Sequence, residues 1–90
     1  MKSFDGVEVA GVPGLRWKHD GDGKISFQKK DSETGSWNKV DAKDLSHEEQ
    51  LAAIQHWYGV KPQQMKEAVS GLHAKSADDM LSHADKKAIT

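Results

Sequence analysis

The segment Asp20–Phe27 (DGDGKISF) has the acidic and glycine spacing of a calcium-binding loop. In the twelve-residue loops that bind calcium between two helices, the first ligand is usually acidic and the twelfth is a bidentate glutamate. The corresponding positions here are Lys18 and Lys29. Two cations stand where carboxylates are required, and Gly11–Gly14 leaves no helix-length segment in front. We therefore do not expect calcium to bind.

No other set of side chains predicts catalysis. The histidines include no pair spaced three or four residues apart, so no helix face would offer two of them to a metal: His19, His47, His56, His73 and His83. We expect these isolated histidines to be exposed or to assist helix caps. The absence of cysteine excludes disulfides and thiol chemistry, and the glycines do not fit a phosphate-binding loop. We predict a protein that is not an enzyme and that uses no metal or cofactor.

Length and composition predict one small domain, residues 1–90, with a single core. The net charge of −1 gives no overall attraction to nucleic acid or to acidic membranes, although a local basic patch is compatible with it. No apolar run is long enough to span a membrane. The N-terminus lacks the apolar segment of a secretory signal. We therefore expect a cytoplasmic protein.

Residues 1–44 have the alternation of apolar and polar side chains that is typical of strands, separated by turn residues. Gly23 and Gly35 fit the last position of three-residue hairpin loops, where glycine adopts a left-handed conformation. This register places Trp17 opposite Phe27 and His19 opposite Ile25. It predicts an apolar face with Trp17, Ile25, Phe27 and Trp37, and a polar face with Lys18, Lys24, Gln28, Lys30 and Asn38.

Residues 45–90 have helical spacing of apolar side chains. Ser46 and Glu49 form the pattern of a capping box, and Gly59 is a typical helix end. A second helix is predicted after Pro62 and a third after Ser76. The predicted fold is α+β: a three-stranded antiparallel meander followed by two or three helices packed on its apolar face.

Two basic segments could bind nucleic acid. The polar face gathers Lys18, Lys24 and Lys30, which Arg16, Lys29 and Lys39 could extend. This arrangement is similar to the small sheet-type DNA-binding modules of phage integrases. The acidic residues of the same half balance its cations, which favours a solvated surface of mixed charge. The helix–Gly–Val–helix layout of residues 51–69 places Lys61, Gln64 and Lys66 as in a helix-turn-helix, but we favour a short corner between two helices.

A few helix-packing positions in the second half form a recognisable pattern: Trp57, Gly59-Val60, Met65, Ala68-Val69 and Ser76-Ala77-Asp78. Through these positions residues 54–81 resemble a small bacterial helical domain family of unknown function. It implies a bacterial or phage source and assigns no activity.

The adjacent aromatic residues Trp57 and Tyr58 point in directions about 100° apart on a helix, so one of them could be exposed. Trp and Tyr are frequent anchors of protein interfaces. Together with the negative net charge, the mixed surface charge and the absence of a catalytic constellation, these surplus aromatics predict a binding module that engages a protein partner, with nucleic-acid binding as the alternative. For the two rings themselves we favour positions in the core or at its edge, because six aromatic residues have one core to fill. If the sheet face is short of cover, Trp17 or Trp37 could be the exposed anchor instead.

Overall fold

A three-stranded antiparallel sheet followed by helices forms the part of the chain that the structure describes. The computed structural model covers residues 4–59 and 74–88, with side chains for 4–59 and 74–82. Its elements are β1 (Leu15–His19), β2 (Ile25–Lys30), β3 (Trp37–Val40), a 3-10 turn (Ala42–Asp44), α1 (His47–Tyr58) and α2 (Ala77–Ala88). The strand order β1-β2-β3 confirms the predicted meander and α+β class. The helix predicted after Pro62 lies outside the described residues.

The first hairpin has the predicted register. Trp17 pairs with Phe27, and His19 pairs with Ile25. The loop between Asp20 and Lys24 has three residues and ends at Gly23, whose φ is +82°. The Asp20 carboxylate accepts hydrogen bonds from the backbone N–H groups of Asp22 and Lys24, at 3.0 and 2.9 Å. Such an Asx turn fixes the loop by local hydrogen bonds.

The predicted register of the second hairpin is wrong by one residue. Asp31 and Ser36 close a loop of four residues, since the Asp31 N–H donates to the Ser36 carbonyl and the Gly35 N–H donates to the Asp31 carbonyl. The Asp31 carboxylate also accepts from the Glu33 and Thr34 N–H groups, which stabilises the longer loop. A one-residue shift moves every side chain of a strand to the other face.

As a consequence, Trp37 pairs with Lys30 and lies on the polar face, not on the apolar face. Val40 pairs with Phe27 and takes the place that was predicted for Trp37 on the apolar face. Asn38, expected on the polar face, pairs with Lys29 instead.

The N-terminal segment pairs along the free edge of β1. Glu8 forms an antiparallel bridge with Arg16, and the Val9 N–H donates to the Leu15 carbonyl at 2.8 Å. Gly6 donates to the Trp17 carbonyl while Val7 accepts from the Trp17 N–H, so both oppose Trp17 as in a β-bulge. Val9 is buried, whereas Val7 is 44% exposed. The alternation at residues 7–9 therefore corresponds to bridge pairing and not to a regular strand.

α1 begins and ends as predicted, and α2 begins at the predicted cap. The Ser46 hydroxyl accepts from the Glu49 N–H and the Glu49 carboxylate accepts from the Ser46 N–H, which completes the capping box. Gly59 ends α1 in the left-handed conformation. At α2 the Ser76 hydroxyl accepts from the Asp79 N–H at 3.3 Å. Neither described helix has the length and apolar composition needed to cross a bilayer.

The core lies between the sheet and the helices. Its largest buried side chains are Leu15, Trp17, Phe27, Ile54 and Met80. Buried Gln50 is satisfied because its amide nitrogen donates to the Ala42 carbonyl at 2.6 Å. This bond ties α1 to the 3-10 turn that follows the sheet.

His56 joins α1 to the sheet through the aromatic core. Its Nδ1 accepts from the Trp17 indole N–H at 3.0 Å and from the Ala10 N–H at 3.2 Å. The Phe4 ring stacks on the imidazole with centroids 4.6 Å apart. His56 is thus half-buried at the edge of the core, which corrects the expectation of an exposed helix histidine.

Candidate nucleic-acid interface

One face of the sheet points away from the buried core. Side chains alternate across a strand, so the residues next to buried Trp17 and Phe27 in sequence lie on the opposite side of the sheet. We call this side the outer face. Its strand residues are Arg16, Lys18, Ser26, Gln28, Lys30, Trp37 and Lys39.

The strands are basic. They contain five Lys or Arg side chains and no Asp or Glu. Lys18, Lys30 and Lys39 are exposed on the outer face, and Lys24 adjoins it at the first turn. The candidate cations Lys18 and Lys30 therefore lie on one side of the sheet, as the predicted register of the first hairpin requires, and Lys24 lies at the turn beside them. Arg16 and Lys39 extend this group.

Lys29 does not belong to the outer face. It pairs with Leu15 in the sheet, and its ammonium lies 3.1 Å from the Glu49 carboxylate at the start of α1. The side chain of Glu49 is only 20% exposed. Burial raises the pKa of that carboxyl, but hydrogen bonds from the Ser46 N–H and from Lys29 outweigh it, so the pKa lies below its ordinary value. Lys29 joins the sheet to α1.

The acidic residues of the first half are concentrated in turns. Asp20 and Asp31 use their carboxylates as acceptors for turn N–H groups. The three strands therefore carry cations and no acids, whereas these two carboxylates lie at the ends of the hairpins.

Two further carboxylates lie along the β1 edge of the outer face. Glu8 is the bridge partner of Arg16, and its carboxylate accepts from the Gly14 N–H at 3.2 Å. Asp5 accepts from the His19 N–H at 3.0 Å and lies 3.9 Å from the exposed Lys18 ammonium. The hydrogen bond from His19 lowers the pKa of Asp5, with a smaller contribution from Lys18. These acids mark one border of the basic surface.

An arginine and a tryptophan occupy the middle of the outer face. The Arg16 guanidinium carbon lies 4.1 Å from the centre of the Trp37 ring. The Arg16 Nε–H donates to the Gln28 side-chain oxygen at 2.8 Å. Arg16, Gln28 and Lys39 also form one cross-strand row, because Gln28 pairs with both neighbours. Arg16 is thus held at its Nε edge and on one planar face.

Trp37 was expected on the apolar face, and the structure places it on the outer face. The signal that could have located it is Asp31, whose carboxylate can accept from the loop N–H groups when four residues separate Asp31 from Ser36.

The predicted protein-interface anchors pack at the edge of the core. The Trp57 ring lies 5.4 Å from Trp17 and 5.5 Å from Phe4, measured between centroids. The Tyr58 hydroxyl donates to the Leu81 carbonyl and so links α1 to α2. Both side chains are half-buried. Their contacts account for the two aromatics as parts of the packing between helices and sheet.

The described residues offer no group of three or more side chains that could hold a metal ion. His19 at the end of β1 has a buried Nε2 without a hydrogen-bond partner, and its ring lies 6.1 Å from Trp57. In the segment that resembles a calcium loop, the Asp20 carboxylate accepts hydrogen bonds from the N–H groups of its own turn.

An open depression of about 500 Å³ lies beside the start of α1, lined by Gly11, Val12, Pro13, Ser46, Glu48, Glu49 and Ala52. Its only charged side chains are two carboxylates, of which Glu49 already bonds Ser46 and Lys29. The depression therefore adds nothing to a surface for anions. The candidates Lys61, Gln64 and Lys66 lie outside the described residues.

Comparison with known proteins found no matching family model, no similar curated protein and no similar solved structure. The resemblance of residues 54–81 to a bacterial helical domain family stays a prediction.

Proposed function

We propose that this domain binds nucleic acid through the outer face of its sheet. The observation that carries the proposal is the composition of that face. Four cations and one tryptophan lie on three adjacent strands that contain no acidic residue: Arg16, Lys18, Lys30, Lys39 and Trp37. Lys24 extends the surface at the first turn.

Such a surface suits a polyanion. Phosphate contacts from Lys and Arg supply most of the non-specific affinity of proteins for nucleic acid, and sheets as well as helices enter the grooves of DNA. The net charge of −1 does not oppose this, because the local field depends on where the charges lie. Here the carboxylates of Asp20 and Asp31 accept hydrogen bonds at the hairpin turns. Those of Asp5 and Glu8 lie along the β1 edge of the face and leave Lys30 and Lys39 on the far strands.

A protein partner is the second candidate. It was the first prediction from the sequence, and it relied on negative net charge, mixed surface charge and surplus aromatic residues, with Trp57 and Tyr58 as candidate anchors. Both rings are half-buried and bonded within the fold, so they support a protein interface less than the outer face supports a nucleic acid. A cytoplasmic, non-enzymatic role is part of the proposal in either case.

The test measures, by fluorescence anisotropy, the binding of the full chain to a labelled DNA duplex of mixed sequence over a series of salt concentrations. Non-specific binders typically have dissociation constants of roughly 10⁻⁴ to 10⁻⁶ M at physiological salt, so low salt is the sensitive condition. We expect K30Q and K39Q each to weaken binding and to reduce the slope of log K against log salt by about 1. The matched control is K75Q, at an exposed lysine outside the sheet.

Absence of binding by the wild-type chain at low salt would contradict the proposal and favour the protein partner. Equal losses from K30Q, K39Q and K75Q would show attraction to overall charge and would contradict the assignment to the outer face.

A further inference from the structure

Arg16 is held more firmly than a surface arginine that only neutralises phosphate. Gln28 bonds its Nε at 2.8 Å, and Trp37 covers one face of the guanidinium at 4.1 Å. Within the described residues its two terminal amino groups have no hydrogen-bond partner, so the planar edge that remains is available to a ligand. A guanidinium fixed in this way loses less side-chain entropy when it binds.

The contact with Arg16 determines the orientation of the Gln28 amide group. A guanidinium can only donate, so the Gln28 atom that it contacts must be the carbonyl oxygen. That oxygen is then engaged, and the amide nitrogen of Gln28 remains as a donor. Arg16 and Gln28 together present N–H donors from the centre of the outer face.

Two adjacent N–H donors can distinguish one base from another, because the bases differ in the acceptors that they expose in the major groove. In the major groove guanine offers two acceptors, N7 and O6, whereas adenine offers one acceptor beside one donor, and cytosine offers a donor. Bidentate contact of arginine with guanine is the commonest specific contact of this kind. We propose that the Arg16–Gln28 pair reads guanine in the major groove of duplex DNA; this inference depends on the proposed function.

A duplex fits the surface better than a single strand. Single strands bind by stacking successive bases on several aromatic side chains. Among the side chains that the three strands place on the outer face, Trp37 is the one aromatic ring, and Arg16 already covers one side of it. Lys30 and Lys39, which flank the pair, are placed to contact phosphates of a groove.

The test is selection of duplexes from a pool with a randomised centre by the wild-type chain. It is followed by competition between the selected duplex and the same duplex with its guanines replaced by adenines. The variants are R16K, which keeps the charge but loses the planar fork, and K39Q, which removes a phosphate contact. Thermal melts check that both variants are folded.

We expect the wild type to prefer the guanine-containing duplex by about 5- to 150-fold, the range of one bidentate contact. R16K should lose that preference, because lysine keeps the charge but lacks the planar fork that a bidentate contact requires. K39Q should weaken binding to both duplexes equally and keep the preference.

The inference is overturned if the wild type binds duplexes without preference for guanine, if R16K keeps the full preference, or if single strands bind more tightly than duplexes. Each of these outcomes leaves the proposed function standing. Absence of any DNA binding by the wild type overturns both.

Discussion

Arg16 on β1 reaches across β2 and lies over the ring of Trp37 on β3, with the guanidinium carbon 4.1 Å from the ring centre. This contact exists because the two hairpin loops differ in length. The first loop has three residues and the second has four. A three-residue second loop would place Trp37 among the core side chains, and the outer face would lose its aromatic residue.

The Arg16–Trp37 contact should contribute a measurable coupling energy. A double-mutant cycle with R16M, W37L and the double variant should give about 0.5–1 kcal/mol in the free energy of unfolding, the range for an exposed cation–π pair. Urea denaturation measures it. The control cycle pairs K18M with W37L, and additivity is expected there. Additive effects at Arg16 and Trp37 as well would contradict the contact.

His56 should matter for stability through one acceptor atom. Its Nδ1 receives the indole N–H of fully buried Trp17, and a buried donor without an acceptor costs about 1–3 kcal/mol. H56N places a side-chain oxygen near the Nδ1 position, whereas H56A leaves no acceptor. We therefore expect H56A to be less stable than H56N in urea denaturation by about that amount.

Helix propensity acts against this order, because Asn is a poorer helix former than Ala by up to about 0.7 kcal/mol. If H56A equals or exceeds H56N in stability, the hydrogen bond from Trp17 does not carry the effect.

Glu49 should make stability depend on acid pH. Burial raises the pKa of its carboxyl, but the hydrogen bonds from Ser46 and Lys29 lower the pKa by a larger amount. The folded pKa therefore lies below the ordinary value of 4.5. A depressed pKa contributes stability that is present above the unfolded pKa and is lost as the pH falls through the folded pKa. The difference in unfolding free energy between wild type and E49Q should therefore shrink as the pH falls below 4.5.

E49Q keeps an oxygen that can accept from the Ser46 N–H, so the comparison isolates the charge. At neutral pH we expect E49Q to cost less than about 1 kcal/mol, as for a partly exposed ion pair. Denaturation of both proteins across the acid range measures the difference. A difference that stays constant with pH would show that Glu49 is not stabilised by its partners when charged.

The first hairpin provides a matched pair of glycines. Gly23 has a φ of +82°, whereas Gly21 does not adopt a positive φ, and a Cβ at either position would meet no atom within 4 Å. G23A should therefore cost about 1–2 kcal/mol from backbone strain alone, and G21A should be neutral or slightly stabilising. Thermal melts compare them. Equal effects at both positions would contradict the predicted loop conformation.

Local hydrogen-bonding patterns in the sequence predicted much of the fold. The Ser46–Glu49 capping box, the helix end at Gly59 and the Gly23 loop all depend on residues close to one another in the chain, and the structure shows each of them. Lys18 and Lys30 share a face for the same reason, since one short loop sets the register of the first hairpin.

Features that depend on competing or distant contacts were not predictable in this way. Gly35 fits the end of a three-residue or a four-residue loop, and only the carboxylate of Asp31 bonded to Glu33 and Thr34 selects the longer one. The role of His56 depends on Trp17, 39 residues away in the chain. The Asp31 relation has a local signal, but that signal competes with the glycine pattern that predicts the shorter loop, whereas the His56 relation has no local pattern in the sequence.

The most direct test of nucleic-acid binding through the outer face is a titration of the isotope-labelled chain with a DNA duplex at low salt, monitored through the amide and indole NMR signals. We predict that the Trp37 indole signal and the amides of Arg16, Lys18, Lys30 and Lys39 shift, and that the shifts disappear as salt is raised. The indole signal of Trp17, which is buried and bonded to His56, should stay in place. Unchanged spectra, or shifts confined to α1 and α2, would contradict nucleic-acid binding through the outer face.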